Sequence, residues 1–250
     1  ALGTGIRKSA GGQSTSAAPG PRRWEVRERE RHSFKPSNGV EGFVAVDPPL
    51  IGRNKMATLL RSPVSADNSC LFTSFAYLCD GINTQIELRG AARRLRRVCA
   101  DCVLGDPDPE MRAVMLGYDS VSQYSEWIVD ETHWGGEPEI VMMAQHFNAE
   151  VALVSCETMR VTRYGSTDEK KSLIFLLYTG QHYDPLVLAG EDQVRVLGAS
   201  ARGECEVALC ESAVAIARQH VADAAKRASE KRVKRLQCGG GGMIFSPFPA

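Results

Sequence analysis

The pattern of apolar positions changes from helical to extended about halfway along the chain. In the first part, apolar residues recur every three or four positions, which predicts helices at 70–79, 84–103, 110–116, 120–129 and 138–147. Later segments rich in β-branched and aromatic residues predict strands at 151–156, 160–164, 173–178 and 184–188, and a short apolar stretch at 56–61 predicts one more. This order of elements predicts an α+β or three-layer α/β domain over about residues 55–190.

Two of the predicted helices have a definite apolar face. For the helix that Thr84 would cap, the face consists of Ile86, Ala91, Leu95, Val98 and Cys102. After residue 190, a second helix is predicted over about 204–236. Its stripe is Val207, Cys210, Val214, Ala217, Val221, Ala224 and Ala228. Because this stripe is mostly alanine, we expect loose packing on the domain rather than a coiled coil.

Both ends of the chain are predicted to be disordered. Residues 1–46 are rich in Gly, Ser, Ala, Pro and Arg and have no sustained apolar period. Four glycines at 239–242 stop the last helix, and we expect residues 237–250 to form a disordered tail. The organised part of the chain is therefore predicted to lie between these two segments.

The balance of charge restricts the classes of molecule that this chain is expected to bind. The 30 Lys and Arg residues equal the 30 Asp and Glu residues, which argues against a dedicated nucleic-acid binder. Two basic flanks, 1–36 and 218–235, bracket an acidic middle. An acidic body can attract a basic protein partner, although such unevenness also arises by chance. No run of about 18 apolar residues exists, so no membrane span is expected.

The eight cysteines do not have the spacing of a small disulfide scaffold. A chain of 250 residues can bury a core without disulfides, so we expect a reducing, intracellular compartment. The pair Cys99 and Cys102 forms a lone CxxC, and a zinc site there would need two more ligands. We therefore expect both to fill space in the core.

Cys70 is the strongest candidate for chemistry, because it lies where a loop becomes a helix. Free N–H groups and partial positive charge at a helix start favour a thiolate and can hold an oxyanion. Asp67 and Asn68 precede it, and the alternative is that one of them merely caps the helix while Cys70 fills the core. Among five histidines, His182 lies between two predicted strands, with Asp184 placed to orient it. The other four are His32, His133, His146 and His220.

Three segments occur together in an order typical of one enzyme family. They are 67–72 (DNSCLF), 134–136 (WGG) and 180–184 (GQHYD). The set resembles the ovarian-tumour (OTU) superfamily of cysteine deubiquitinases, over about residues 58–190. The resemblance is greatest to the ubiquitin thioesterases that cooperate with a AAA ATPase in endoplasmic-reticulum-associated degradation. It implies a papain-type thiol protease fold, with a small central sheet between helical layers and a C-terminal helix.

The resemblance also implies a role for each site residue. Cys70 would be the nucleophile, His182 its base and Asp184 the group that orients His182, while Asp67 would shape the oxyanion loop. Ubiquitin would be held by Asn68, Trp134, Gly135, Gly136 and Gln181. The reaction needs no metal or organic cofactor. The implied partners are ubiquitin, polyubiquitin chains and the AAA ATPase, in the cytoplasm.

The ends of the chain depart from this branch of the family. Its members often begin with a ubiquitin-like domain and end in a C2H2 zinc finger, whereas residues 1–46 resemble no such domain and Cys238 is followed by glycines. We therefore expect no zinc site, and whether such parts are missing through truncation stays open. Two other functions remain as alternatives: an inactive OTU-like module that only binds ubiquitin, and an interaction protein acting through its tail helix.

Overall fold

The computed structural model describes residues 58–165, 172–189 and 195–238. The predicted disorder of 1–46 lies outside these residues, as do His32 and all of the predicted tail 237–250 except residues 237 and 238, which belong to the last helix. Within them, the predicted elements are present with boundaries shifted by a few residues. The last helix differs most, because it extends from Ala199 to Cys238.

A five-stranded mixed sheet forms the centre of the domain. Its strands are β1 (Leu59–Arg61), β2 (Ala149–Ser155), β3 (Val161–Tyr164), β4 (Ser172–Tyr178) and β5 (Tyr183–Leu188), in the order β1-β5-β4-β2-β3. The β2–β4 pair is parallel, and the other pairs are antiparallel. The central strands are buried on both faces, which explains why their sequences are nearly continuous apolar runs.

Within the described residues, six helices accompany the sheet: α1 (Cys70–Cys79), α2 (Gln85–Leu104), α3 (Pro109–Met115), α4 (Val121–Val129), α5 (Glu137–His146) and α6 (Ala199–Cys238). Three of them begin at a side-chain cap. The side chains of Thr84, Asp108 and Ser120 each accept a backbone N–H of the first turn that follows. Such caps are local signals, which is why the starts of these helices could be read from the sequence.

The helices form two layers, one on each face of the sheet. Helices α1–α5 share a core with Val151 and Ile174, whereas α6 covers the opposite face, which includes Val154 and Phe175. Alternate residues of a strand point to opposite faces, so a single strand contributes to both cores. The fold is the predicted α+β arrangement, with a small sheet between helical layers.

The buried face of α2 agrees only in part with the predicted stripe. Ala91 and Leu95 are buried as predicted, whereas Ile86 is 86% exposed and Val98 and Cys102 are only half-buried. The buried face also includes a line that was not predicted, namely Leu88, Ala92, Arg96, Cys99 and Val103. The core-facing surface of the helix is therefore rotated toward a line that contains an arginine.

The buried face of α6 agrees only in part with the predicted stripe. Ala217 is fully buried, and Cys210 and Val214 are half-buried against the sheet, as predicted, whereas Val207 is 75% and Val221 40% exposed. Leu209 and Ala213, which lie outside that stripe, are fully buried beside them. Small alanines let the helix axis lie close to the sheet. Among the described helices, none combines the length and apolar character that crossing a membrane requires.

Candidate active site

Cys70 is the first residue of α1, and it follows a turn of polar residues. Its N–H donates to the Asp67 carbonyl at 3.3 Å, which is a long hydrogen bond. The side chain is 6% exposed, so the sulfur lies just below the surface. The start of the helix therefore presents Cys70 with N–H groups and partial positive charge beside it, as the sequence predicted.

His182 lies in the turn between β4 and β5, and Asp184 lies in β5. The Nε2 atom of His182 is 3.0 Å from Oδ1 of Asp184. The turn depends on Gly180, whose φ is +98° and whose Cβ, if present, would lie 2.6 Å from the Glu157 carboxylate. Glycine therefore sets the path that brings His182 to this place.

The two partners of His182 fix its protonation. Hydrogen bonds with Asp184 and with Cys70 raise the pKa of His182 to about 10, against the opposing effect of burial. Burial would raise the pKa of Asp184, but His182, the Val64 N–H and Arg61 together lower it. Since a carboxylate only accepts hydrogen bonds, Nε2 carries a proton toward Asp184, which leaves Nδ1 for the sulfur. At neutral pH the site thus holds an imidazolium between a sulfur and a carboxylate.

The side chains of Asp67 and Asn68 shape the loop that precedes Cys70. The Asp67 carboxylate accepts the N–H of Ser69 at 2.9 Å and closes the turn before Cys70. The side-chain oxygen of Asn68 accepts the indole N–H of Trp134. Trp134 is 54% exposed, so this contact leaves much of its ring open to a partner.

The two glycines after Trp134 have different physical roles. A Cβ on Gly135 would lie 2.8 Å from the Phe72 ring and 2.9 Å from Leu71, so only glycine lets this turn approach α1. Gly136 donates its N–H to the Glu139 carboxylate at 2.7 Å and begins α5. Gln181 is exposed next to His182. The structure thus groups Cys70, His182 and Asp184, while the other predicted residues surround or support them.

The remaining described histidines have other neighbours. His133 stacks on Trp127 at 4.9 Å between ring centroids, and His146 meets the edge of Phe147 at 4.8 Å. His220 of α6 lies beside Arg61. Burial is the main cause that lowers the pKa of His146 and of His220, and Cys70 is a cause of neither shift.

Arg96 is a site residue that sequence reasoning missed. It is fully buried, and its guanidinium lies 4.4 Å over the Phe72 ring. It donates to five oxygen atoms, namely those of Asn68 (carbonyl), Ser69 (hydroxyl), Ile128, Asp130 and His133 (carbonyls). One side chain therefore ties the loop before Cys70 to the segment before the Trp-Gly-Gly turn.

A signal for Arg96 was present in the sequence. It lies on the line Leu88, Ala92, Cys99 and Val103, and it is the one charged position of that apolar line. A charged residue is almost never fully buried unless its hydrogen bonds are satisfied. An arginine in the middle of an apolar helix face therefore indicates a set of acceptors elsewhere in the fold, although the sequence does not say which.

The Cys99 and Cys102 thiols belong to the packing of α2. Cys99 is fully buried and Cys102 half-buried, and burial is the main cause that raises the pKa of each thiol. Thiols in this state are poor metal ligands, because the thiolate is the ligating form. Within the described ranges, no three His, Cys, Asp or Glu residues are grouped so as to hold a metal ion.

Comparison with known proteins gives consistent similarities, although no family model matches the chain. The ubiquitin thioesterase OTU1 of Gallus gallus is 35% identical over 157 residues, which is 63% of this chain and 50% of the relative. That of Homo sapiens is 36% identical over 134 residues, 54% of this chain and 37% of the relative. That of Danio rerio is 37% identical over 165 residues, 65% of this chain and 52% of the relative.

The fold has a solved counterpart. An OTU domain in complex with ubiquitin covers 64% of this chain and 85% of its own length, with a TM-score of 0.54 and 23% identity. That likeness shows the fold. The chain spans about half the length or less of the curated relatives described above. The similarity therefore concerns one domain.

Proposed function

We propose that this chain, which has the OTU fold and is homologous over 63% of its length to a ubiquitin thioesterase, is a cysteine deubiquitinase. The observation that carries the proposal is the hydrogen-bonded series Cys70, His182 and Asp184. An imidazolium beside a sulfur is how cysteine hydrolases obtain a thiolate nucleophile. The reaction class that follows is hydrolysis of an amide or isopeptide bond.

In the first half of the reaction, the sulfur of Cys70 attacks the carbonyl carbon at the ubiquitin C-terminus. The carbonyl oxygen becomes an oxyanion, which backbone N–H groups at the start of α1 stabilise. The C–N bond then breaks, and His182 gives its proton to the leaving lysine amine. A thioester between Cys70 and ubiquitin remains.

In the second half, water replaces the amine. His182, now neutral, takes a proton from the water as it attacks the thioester carbonyl. The C–S bond breaks, ubiquitin leaves with a free carboxylate, and the sulfur returns to its pairing with His182. Asp184 keeps the ring oriented through both halves, and no step calls for a metal or an organic cofactor.

The alternative of an inactive ubiquitin-binding module is disfavoured by the same groups. A binding module needs no ordered imidazole beside a buried sulfur, yet the pKa of His182 is raised to about 10 by just those contacts. Strongly perturbed groups that cluster in this way are typical of catalytic sites. The two functions make different predictions for covalent capture.

Ubiquitin that carries an electrophile in place of its C-terminal carboxylate tests the proposal. We expect the wild-type chain to form a covalent adduct, and mass spectrometry of its peptides to place that adduct on Cys70 alone. A non-electrophilic ubiquitin serves as the control for binding. A folded sample that binds ubiquitin but forms no adduct would support the inactive module, and an adduct on another cysteine would overturn the assigned nucleophile.

A finer proposal concerns the setting of the reaction. By its motifs the chain resembles thioesterases of endoplasmic-reticulum-associated degradation, so we place it in the cytoplasm with a AAA ATPase as partner. We expect the chain to co-sediment with the purified ATPase hexamer, independently of Cys70→Ala. If it stays in the supernatant while retaining ubiquitin cleavage, this partner is excluded and the deubiquitinase proposal is unaffected.

A further inference from the structure

Both oxygens of the Asp184 carboxylate accept hydrogen bonds. Its Oδ1 accepts His182 Nε2 at 3.0 Å and the Val64 N–H at 3.1 Å. Its Oδ2 accepts Nε and Nη2 of Arg61 at 2.8 and 2.5 Å. The Asp184 side chain is fully buried, so these contacts stand in for all the hydration that a carboxylate loses on burial.

Arg61 connects this carboxylate to α6. Its Nη1 lies 2.8 Å from Nδ1 of His220. A guanidinium only donates, so Nδ1 must accept, and the His220 ring is neutral with its proton on Nε2. The pKa of His220 is lowered by burial and by the charges of Arg61 and Arg227, which agrees with a neutral ring.

The pleat of the sheet explains why α6 reaches the carboxylate. Asp184 has the same orientation along β5 as Leu186 and Leu188, whose side chains face α6. His220 follows Ala213 and Ala217 at helical spacing, at the end of the buried face of α6. The carboxylate is thus anchored in the α6 layer, whereas Cys70 belongs to the α1 layer.

We infer that α6 is part of the catalytic machinery, with Arg61 and His220 acting as positioning residues for Asp184. The inference rests on the proposed function. Arg61 binds Oδ2 of Asp184 and thereby holds Oδ1 in position to accept the hydrogen bond of His182. His220 in turn accepts a hydrogen bond from the Arg61 guanidinium and fixes its position. Neither residue touches the reacting atoms. Their effect is exerted through the position of the imidazole.

Replacing Arg61 by methionine tests the inference. We expect kcat for diubiquitin cleavage to fall about 10- to 100-fold, because a poorly oriented imidazole transfers its proton less efficiently. KM should change less than about twofold, since the side-chain hydrogen bonds of Arg61 are with Asp184 and His220. The matched control is Arg163→Met, which breaks a different link between the sheet and α6, through Glu150 and Glu206. Equal kcat values for the two variants would overturn the inference.

A second pair of variants separates positioning from packing. His220→Asn keeps an acceptor near the place of Nδ1 and is expected to retain at least about half of the wild-type kcat, whereas His220→Leu removes the acceptor and should lower kcat. If both variants lose activity equally, His220 acts by packing alone and its positioning role is wrong. If Arg61→Met fails to fold, the comparison of His220→Asn with His220→Leu still tests whether α6 positions Asp184.

Alkylation of Cys70 by iodoacetamide supplies a readout that needs no ubiquitin. Its rate depends on the pairing of the sulfur with His182, and we expect Arg61→Met to slow it about 10-fold relative to Arg163→Met. If alkylation of Cys70 is slowed by Arg61→Met as expected but the wild type cleaves no ubiquitin, the proposed function has failed while the positioning inference stands. If Arg61→Met is alkylated as fast as the control, the inference has failed.

Discussion

Replacing Cys70 by alanine is expected to abolish turnover, lowering the rate of diubiquitin cleavage by about 10,000-fold or more. The covalent pathway disappears with the sulfur, and His182 and Asp184 alone have no nucleophile to activate. Binding should survive, because the Trp134 turn and the loop contacts of Asn68 do not involve the sulfur. Gel-based cleavage kinetics and calorimetric titration with ubiquitin measure the two effects separately.

The control for this substitution lies on the same helix. Cys79 ends α1, is also buried, and has a thiol pKa raised by burial and by Asp80. Cys79→Ala should keep the wild-type rate, and both variants should lose less than about 2 kcal/mol of unfolding free energy. Residual cleavage by Cys70→Ala above a few per cent of wild type would contradict the role assigned to Cys70.

Replacing Arg96 by methionine is expected to have the largest effect on stability. Methionine fills much of the aliphatic volume but leaves without donors the buried oxygens of Ser69 and Ile128 and the part-buried carbonyls of Asn68, Asp130 and His133. Unpaired buried acceptors cost about 1–3 kcal/mol each when water cannot replace the donor, so we expect a loss of roughly 3–5 kcal/mol. Urea denaturation followed by circular dichroism measures the change. Cleavage should fall as well, because the loop before Cys70 loses its anchor.

Arg97 offers a matched control for Arg96. It is the next residue of α2 and is exposed, so Arg97→Met removes the same charge without any buried acceptor and should change stability by less than about 0.5 kcal/mol. Arg96→Lys should recover only part of the loss, since one ammonium cannot reach acceptors arranged for a planar fork. Equal denaturation midpoints for Arg96→Met and Arg97→Met would refute the contribution of the Arg96 hydrogen bonds to stability.

The local features of the fold could be predicted because their causes are local. The start of α1 at Cys70, the cap at Thr84 and the turn at Gly180 each depend on residues within a few positions. The alternation of the strands and the helical periods follow from the same short range. The choice of His182 among five histidines needed more, namely the recognition of three segments in a particular order.

The buried faces of α2 and α6 could be predicted only in part. Each helix sequence allows more than one apolar stripe, and the exact face depends on what the neighbouring layer offers. For α2, the acceptors of Asn68 and His133 make a line that contains Arg96 favourable, although an arginine alone would argue against it. For α6, the sheet accepts Leu209 and Ala213 beside Ala217 of the predicted stripe.

The sequence by itself determined the order of elements, the fold class and the three segments that meet at the site. Periodicity, capping and turn chemistry act over a few residues, so they can be recognised in the sequence alone. Only the tertiary structure decided how the site is held: that Arg96 joins two loops, and that Arg61 and His220 anchor Asp184 from the α6 layer. The side-chain partners of Arg96 and Arg61 lie 27 to 159 positions away along the chain, and no local pattern identifies those partners.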